Sequence, residues 1–275
     1  MAASTSVSPM TFTIDVEDHR PGPEAELRFP RITRQVIEWL STQNASGTFF
    51  IVGEEAERHP DLVRDIVAGG HEVALHGYRH VPLGTMTPDV LADDVRRGRV
   101  LLEDLAQREV VGFRAPQFSL TPDAVWASDV LAEAGFTYSS SVLPNANPLF
   151  GFPGAPTVPF RWPSGLVEFP ATLLGTGSLR VPLGGIYFRL LPLFATKRLL
   201  ASTGATVPWI YLHPYDFDPG EKMYVIRDAN PIFSPLQWVN RRRVRPRVAA
   251  LFGAQPGRPL RDRVAEVASS APVFP

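Results

Sequence analysis

From residue 11 to about residue 142 the chain moves between two rhythms of apolar and polar positions. Short apolar runs rich in β-branched and aromatic residues alternate with longer stretches whose apolar residues recur every three or four positions. The short runs are Thr11 to Ile14, then GTFFIVG, HEVALHG, VVGFRAP and TYSSSV. Each reads as a strand, and a run such as GTFFIVG, bounded by glycines, reads as one buried on both faces. Between them lie PRITRQVIEWLSTQN, EEAERHPDLVRDIVAGG, TPDVLADDVRRGRVLLEDLAQ and TPDAVWASDVLAEAGF. In the first of these, Ile32, Val36, Ile37 and Leu40 fall at helical spacing. The second is expected to be a helix closed by Gly69 and Gly70. The third opens on a Thr87 cap with Pro88 at its first position, and the fourth repeats the Thr-Pro opening. Strands and helices taken in turn predict a parallel sheet covered by helices.

The rhythm dissolves between Leu143 and Pro170, where Pro, Gly and aromatic residues dominate. This predicts a long structured loop region with a single hairpin, and loops of that length are usually functional. Ile186 to Leu200 predicts a helix, PWIYLHPYDFD a strand ending in polar residues, and PLRDRVAEVA a final helix. No internal repeat beyond the βα alternation and no low-complexity linker interrupts the chain. One domain over residues 1–275 is expected, with a core at about 11–218 and a basic, helical extension at about 235–275.

Composition narrows the chemistry. Of the 275 residues, 44% are hydrophobic and 20% charged, as in an ordinary globular protein long enough to bury a sizeable core. The formal net charge of -1 gives no global electrostatic case for nucleic acid. Cysteine is absent, so disulfides and thiolate metal sites are excluded, and any metal must be held by His, Asp and Glu. MAASTSVSPM does not read as a secretory signal, and no run approaches the roughly 18 apolar residues needed to span a bilayer. The expected location is cytoplasmic, or peripheral to the inner face of the membrane.

The candidate chemistry sits at the C-terminal ends of the strands. The first ends in Asp15, Glu17 and Asp18; the third leads into His76 and His80; the fourth into Arg114; a late one into His213 and Asp216. In parallel α/β folds this rim is where sites are built, so residues from four separate strands should converge there. His76 and His80 can share a metal if the chain turns helically after Gly77, although that spacing alone is weak. Glu17 or Asp18 could supply the carboxylate. Two imidazoles and one carboxylate leave positions open for water and substrate, as catalytic zinc or similar divalent sites require.

IDVED, HGYRH, FRAP and YLHPYDFD, in this order from about Thr11 to Asp218, resemble the motifs of the polysaccharide deacetylases, carbohydrate esterase family four. The resemblance is to the branch whose first motif reads D-V-E-D, and LAEAGFTYSSSVLP is similar to that branch as well. It implies a distorted (β/α) barrel of about seven parallel strands. It also implies one divalent ion, zinc in the first instance with cobalt or nickel also suited, held by His76, His80 and Glu17 or Asp18. Asp15 would be the general base, His213 the general acid, and Arg114 the residue that holds and tunes Asp15. The Gln117 backbone N–H, after the Arg-Ala-Pro turn, is a candidate oxyanion donor. Trp162 and Phe118 are candidates to stack on a sugar ring.

The implied activity is metal-dependent removal of an acetyl group from an N-acetylated sugar. With no leader recognised, the expected substrate is a nucleotide- or lipid-linked precursor of a surface polysaccharide. One alternative is an amidohydrolase opening a cyclic amide or ureide. Another is a carbohydrate-binding barrel without catalysis, although the base, ligands and acid are all present. Of the other histidines, His19 could line the pocket, His71 reads as structural and His59 as a surface residue. The run RRRVRPR, residues 241–247, reads as a solvated face, and LGGIYFRLLPLF, residues 183–194, as core or a groove wall.

Overall fold

The computed structural model describes residues 8–146, 150–177, 180–224, 234–253 and 255–275. Its centre is an eight-stranded sheet in the order β10-β1-β2-β3-β4-β5-β7-β6. The strands are β1 (Thr11–Val16), β2 (Gly47–Ile51), β3 (Glu72–Leu75), β4 (Gly112–Phe113), β5 (Tyr138–Ser139), β6 (Phe160–Arg161), β7 (Val167–Glu168) and β10 (Trp209–Leu212). From β10 across to β7 every pairing is parallel, which gives the seven parallel strands expected. Strand β6 pairs antiparallel with β7, the hairpin expected in the Pro-rich stretch. A separate hairpin, β8 (Leu173–Leu174) with β9 (Val181–Pro182), lies outside the sheet.

The sheet is curled into a half-barrel, and the stretch around Thr172 and Leu183 links its β5–β7 side to β10. The Ala171 N–H donates to the Val142 carbonyl (2.8 Å) and the Trp209 N–H to Thr172 Oγ1 (2.9 Å). The Leu183 N–H donates to the Thr172 carbonyl (2.7 Å), and the Tyr211 N–H to the Leu183 carbonyl (3.2 Å). These bonds occupy donors that a strand edge would otherwise leave unpaired.

Two cores follow from the period of two along each strand. Phe12, Ile14, Val16, Phe49, Ile51, Leu75, Phe113, Ile210 and Leu212 pack outward beneath the helices. Phe50, Ala74, Tyr138, Val167, Phe169 and Trp209 belong to the second cluster, inside the curl. Thr13 and Asp15 alternate with the outward residues of β1, so both side chains reach Arg114 in the interior. Below them Glu72, buried, accepts from Thr48 Oγ1 (2.7 Å) and the Tyr138 hydroxyl (2.8 Å).

The helices are α1 (Phe29–Thr42), α2 (Gly53–Arg58), α3 (Pro60–Ala68), α4 (Pro88–Ala106), α5 (Ala127–Glu133), α6 (Gly185–Leu190), α7 (Leu193–Ser202), α8 (Val244–Phe252) and α9 (Leu260–Ala268). Thr87 caps α4, accepting from the Val90 N–H at 3.4 Å. Three expected helices are shorter or divided. EEAERHPDLVRDIVAGG is split at His59 because Pro60 disfavours helical backbone in the residue before it. Ile186 to Leu200 is split at Leu191–Pro192, where both residues are extended. TPDAVWASDVLAEAGF begins as a single turn at Pro122–Ala124 before α5.

The basic run is also used internally. Arg241, buried, pairs with Glu221 (2.7 Å) and lies over the Trp238 ring; Arg247 donates to the Phe188 and Leu191 carbonyls at the end of α6. Arg242 and Arg243 remain exposed.

His71 stands just before β3 and accepts from the Gly47 N–H (3.3 Å), while its buried Nε2 has no partner. Burial pushes its pKa down to about 4. The unfolded chain then binds a proton near pH 6.5 that the folded chain refuses, so this contribution is present above that pH and fades toward pH 4. Lowering the pH from 7 to 5 should remove about 2 kcal/mol through His71. His71→Asn, which retains an acceptor, should lose about that much less over the same interval, read from denaturant midpoints at the two pH values. An unchanged pH slope in the variant would show that His71 is not the group responsible.

Candidate active site

Asp15 lies near the end of β1, with one carboxylate oxygen held and the other facing the site. Arg114 Nη1 donates to Asp15 Oδ1 (2.6 Å) and to Thr13 Oγ1 (3.0 Å). The rest of the guanidinium is also fixed: Nε donates to the Ser140 carbonyl (3.2 Å) and Nη2 to Ser140 Oγ (3.0 Å). It lies 3.9 Å over the Phe50 ring and 4.4 Å over that of Trp209. A fully buried charge requires this many partners. Asp15 Oδ2 faces two imidazoles, His76 Nε2 at 3.9 Å and His213 Nε2 at 4.0 Å.

His76 extends β3 by one residue, and its Nδ1 donates to the Arg114 carbonyl (2.9 Å). Burial pushes its pKa down to about 4, so the ring is neutral at pH 7 with the Nε2 lone pair turned inward. That is the form and orientation of a metal-ligating histidine whose other nitrogen is held from behind. Gly77, at φ +70°, then turns the chain through a conformation that side chains rarely adopt, and His80 follows at φ +55°. His80 Nε2 lies 2.6 Å from Glu17 Oε2. Glu17, His76 and His80 offer ligand atoms that all lie within 4.8 Å of one another. Their donor types suit zinc and related divalent ions.

Asp18 does not join them. Its carboxylate is taken by Arg20, through the backbone N–H (3.0 Å) and Nε (2.7 Å). Glu17 is the acid that faces the histidines. Burial alone would raise its pKa, but His19 and His80 outweigh that and hold it well below the usual carboxylate range. His19, half-exposed, does line the site, with Nε2 at 2.9 Å from Glu17 Oε1.

His213 follows β10. Its Nε2 is 3.4 Å from Glu17 Oε1, and its Nδ1 is 3.5 Å from Asp216 Oδ2. Asp216 also accepts from the His213 backbone N–H (2.9 Å). Behind it Arg189 Nε lies 2.9 Å from Asp216 Oδ1, an ion pair in which the N–H is aimed at the Gly185 carbonyl. Burial would raise the Asp216 pKa, but the nearby His213 side chain and the Arg189 charge outweigh it and lower it. A lone arginine in the apolar run LGGIYFRLLPLF was the available sequence signal for this partner, since an isolated buried charge needs a counter-charge. Glu168 is a second supporting residue absent from the sequence reading. It accepts from the Ser141 and Val142 N–H groups (2.6 and 2.9 Å) and so holds the turn that carries Ser140.

Gln117 is exposed on the turn after Arg114 with φ +58°. Phe118 is half-buried, its ring edge-on to Tyr211 at 5.2 Å. Trp162 is not a sugar platform. It is 1% exposed, packed among Phe152, Phe160 and Phe274, with its indole N–H 3.5 Å from Glu168 Oε2. Trp162→Phe should therefore cost about 1–2 kcal/mol of stability, measured by denaturant unfolding, and leave KM unchanged. A rise in KM without loss of stability would return Trp162 to the substrate surface.

Comparison with known proteins bears on the family and the fold. Residues 6–139 match the family model described as polysaccharide deacetylase, and residues 140–257 match DUF3473, a domain of unknown function. A chitooligosaccharide deacetylase of Bradyrhizobium sp. (strain ANU 289) is 33% identical over 103 residues, 38% of this chain and 45% of that protein. A peptidoglycan-N-acetylglucosamine deacetylase of Bacillus cereus is 30% identical over 107 residues, 39% of this chain and 48% of the relative. These matches thus span about half the length of the curated relatives. Among solved structures, a Mycobacterium smegmatis protein described as a polysaccharide deacetylase superposes with TM-score 0.66 at 21% identity, covering 97% of this chain and 92% of that one. A structure of Puue allantoinase gives 0.58 at 17% identity, covering 98% and 92%. Both share the fold. Sheet β10-to-β6 draws strands from both matched segments.

Proposed function

We propose that this protein, whose residues 6–139 belong to the polysaccharide deacetylase family, is a metal-dependent hydrolase that removes the acetyl group from an N-acetylated sugar. The observation that carries the reading is Asp15 Oδ2 facing His76 and His213 from one side, with Arg114 holding the other oxygen. Base, acid and ligand set stand around one space.

The residues fit a divalent ion. His76 presents a neutral Nε2 fixed from behind, and Glu17 and His80 complete a set that leaves positions open. A divalent ion held by Glu17, His76 and His80 would polarise the acyl carbonyl and make a nearby water easier to deprotonate. Asp15 takes the proton from the attacking water through Oδ2. Arg114 keeps the carboxylate in place and occupies the oxygen that does not react. The Gln117 N–H is the candidate donor to the oxygen that gains charge at the acyl carbon. His213, oriented by Asp216 and Arg189, gives a proton to the sugar nitrogen as the C–N bond breaks. The products are acetate and a free amine.

The proposed substrate is a nucleotide- or lipid-linked saccharide precursor of a surface polysaccharide. The test is acetate release by the stripped and the zinc-loaded protein on a panel of N-acetylated saccharides, linked and polymeric, and cyclic ureides. Zinc-dependent acetate release supports the reading, and activity on polymeric chitin or peptidoglycan alone overturns the precursor assignment. Ring opening of a ureide with no acetate would move the chain to cyclic-amide hydrolysis at the same site.

A further inference from the structure

Glu17 has two faces. Its Oε2 belongs with His80, while Oε1 is turned the other way, toward His19 and His213. Glu17, His19 and His213 form a second group whose ligand atoms all lie within 4.8 Å of one another. Two ligands bound tetrahedrally to zinc at about 2.0–2.1 Å stand about 3.3 Å apart. Glu17 Oε1 lies 2.9 Å from His19 Nε2 and 3.4 Å from His213 Nε2, close to that edge.

The His213 ring stacks on Tyr215 at 4.8 Å, and its buried Nδ1 makes no hydrogen bond among the described residues. The His213 Nδ1 side is turned to Asp216, which leaves Nε2 facing Glu17. The His19 ring sits edge-on to Tyr215 at 4.7 Å, and its carbonyl accepts from the Tyr224 hydroxyl (2.5 Å). The His19 side chain is 36% exposed, so this group stands at the solvent edge of the site.

We propose that this second group binds a second divalent ion, of the zinc class, bridged to the first through the Glu17 carboxylate, and that its binding inhibits the enzyme. The inference rests on the proposed roles of Glu17, His76 and His80 as the first site and of His213 as the acid. Repulsion between two cations across one carboxylate makes the second site the weaker. Filling it places a cation on the His213 Nε2 that must carry the proton to the leaving nitrogen. Excess zinc therefore turns the enzyme off while the first ion stays in place.

The test uses the full chain, stripped with a chelator and dialysed against a series of zinc concentrations, with bound zinc and acetate release measured at each. Wild type should bind two ions per chain. Its rate should rise as the first fills and fall at least tenfold as the second does. His19→Phe keeps the ring against Tyr215 and removes the donor nitrogen; it should bind one ion and lose the falling limb. His19→Ala should behave in the same way if the nitrogen alone matters. Wild type holding a single ion at every zinc concentration would overturn the second site and leave the first intact. So would a second ion and falling limb that persist in both variants. Binding of no ion would remove the first site too, which separates failure of this inference from failure of the catalytic reading.

Discussion

Asp15→Asn is expected to lower kcat/KM for acetate release by about a thousandfold, within the roughly 10²–10⁴ that a positioned general base contributes. The amide can still accept from Arg114 Nη1 through Oδ1, which now lies 2.6 Å away, so the constellation stays largely in place. What disappears is the basic oxygen facing His76 and His213. The variant should bind a divalent ion as wild type is proposed to do, because Glu17, His76 and His80 are untouched. It will lose some stability, since Arg114 keeps its charge without a counter-ion, so rates are compared well below the variant's melting point. Metal content by elemental analysis and acetate release together decide the matter. Activity within tenfold of wild type would show that another group takes the proton.

Arg114→Met is expected to destabilise the protein by about 3–5 kcal/mol, because it leaves the Asp15 charge buried without its partner. The guanidinium lies at the centre of the curl, with Thr13, Asp15 and Ser140 bonded to it and Phe50 and Trp209 stacked on it. Nothing in methionine replaces those donors. The double variant Asp15→Asn/Arg114→Met should recover part of the lost stability, since no unpaired charge remains, but none of the activity. Denaturant midpoints for the two single variants and the double close the cycle. Strictly additive losses would mean that the 2.6 Å pair is not energetically coupled.

These two residues stand 99 positions apart in sequence, and that distance sets what the sequence can say about the site. The position of each is local information. Thr13 and Asp15 alternate with Phe12, Ile14 and Val16, so the period of two already assigns Asp15 to the face opposite the apolar residues. Apolar runs taken in turn with helical stretches gave the parallel strands, and the motifs at the ends of the runs placed Asp15, His76, Arg114 and His213 on one rim. The D-V-E-D resemblance supplied roles for them. The helix interruptions at Pro60 and Pro192 were not foreseen, although their cause is equally local, since proline restricts the residue before it.

Tertiary structure alone decided the rest. Glu17 and Asp18 lie beyond β1, where no strand period fixes a side chain's direction, and Arg20 takes Asp18 while the histidines take Glu17. Trp162 was legible as an aromatic residue in a loop, but only its packing against Phe152, Phe160 and Phe274 shows that it is core. The residues behind the candidate site, Arg189 at Asp216 and Glu168 at the Ser140 turn, come from distant segments. Periodicity reports which way one segment faces. Which segment it meets is fixed by burial of the whole chain, because a buried charge must find its counter-charge wherever the fold brings one within reach.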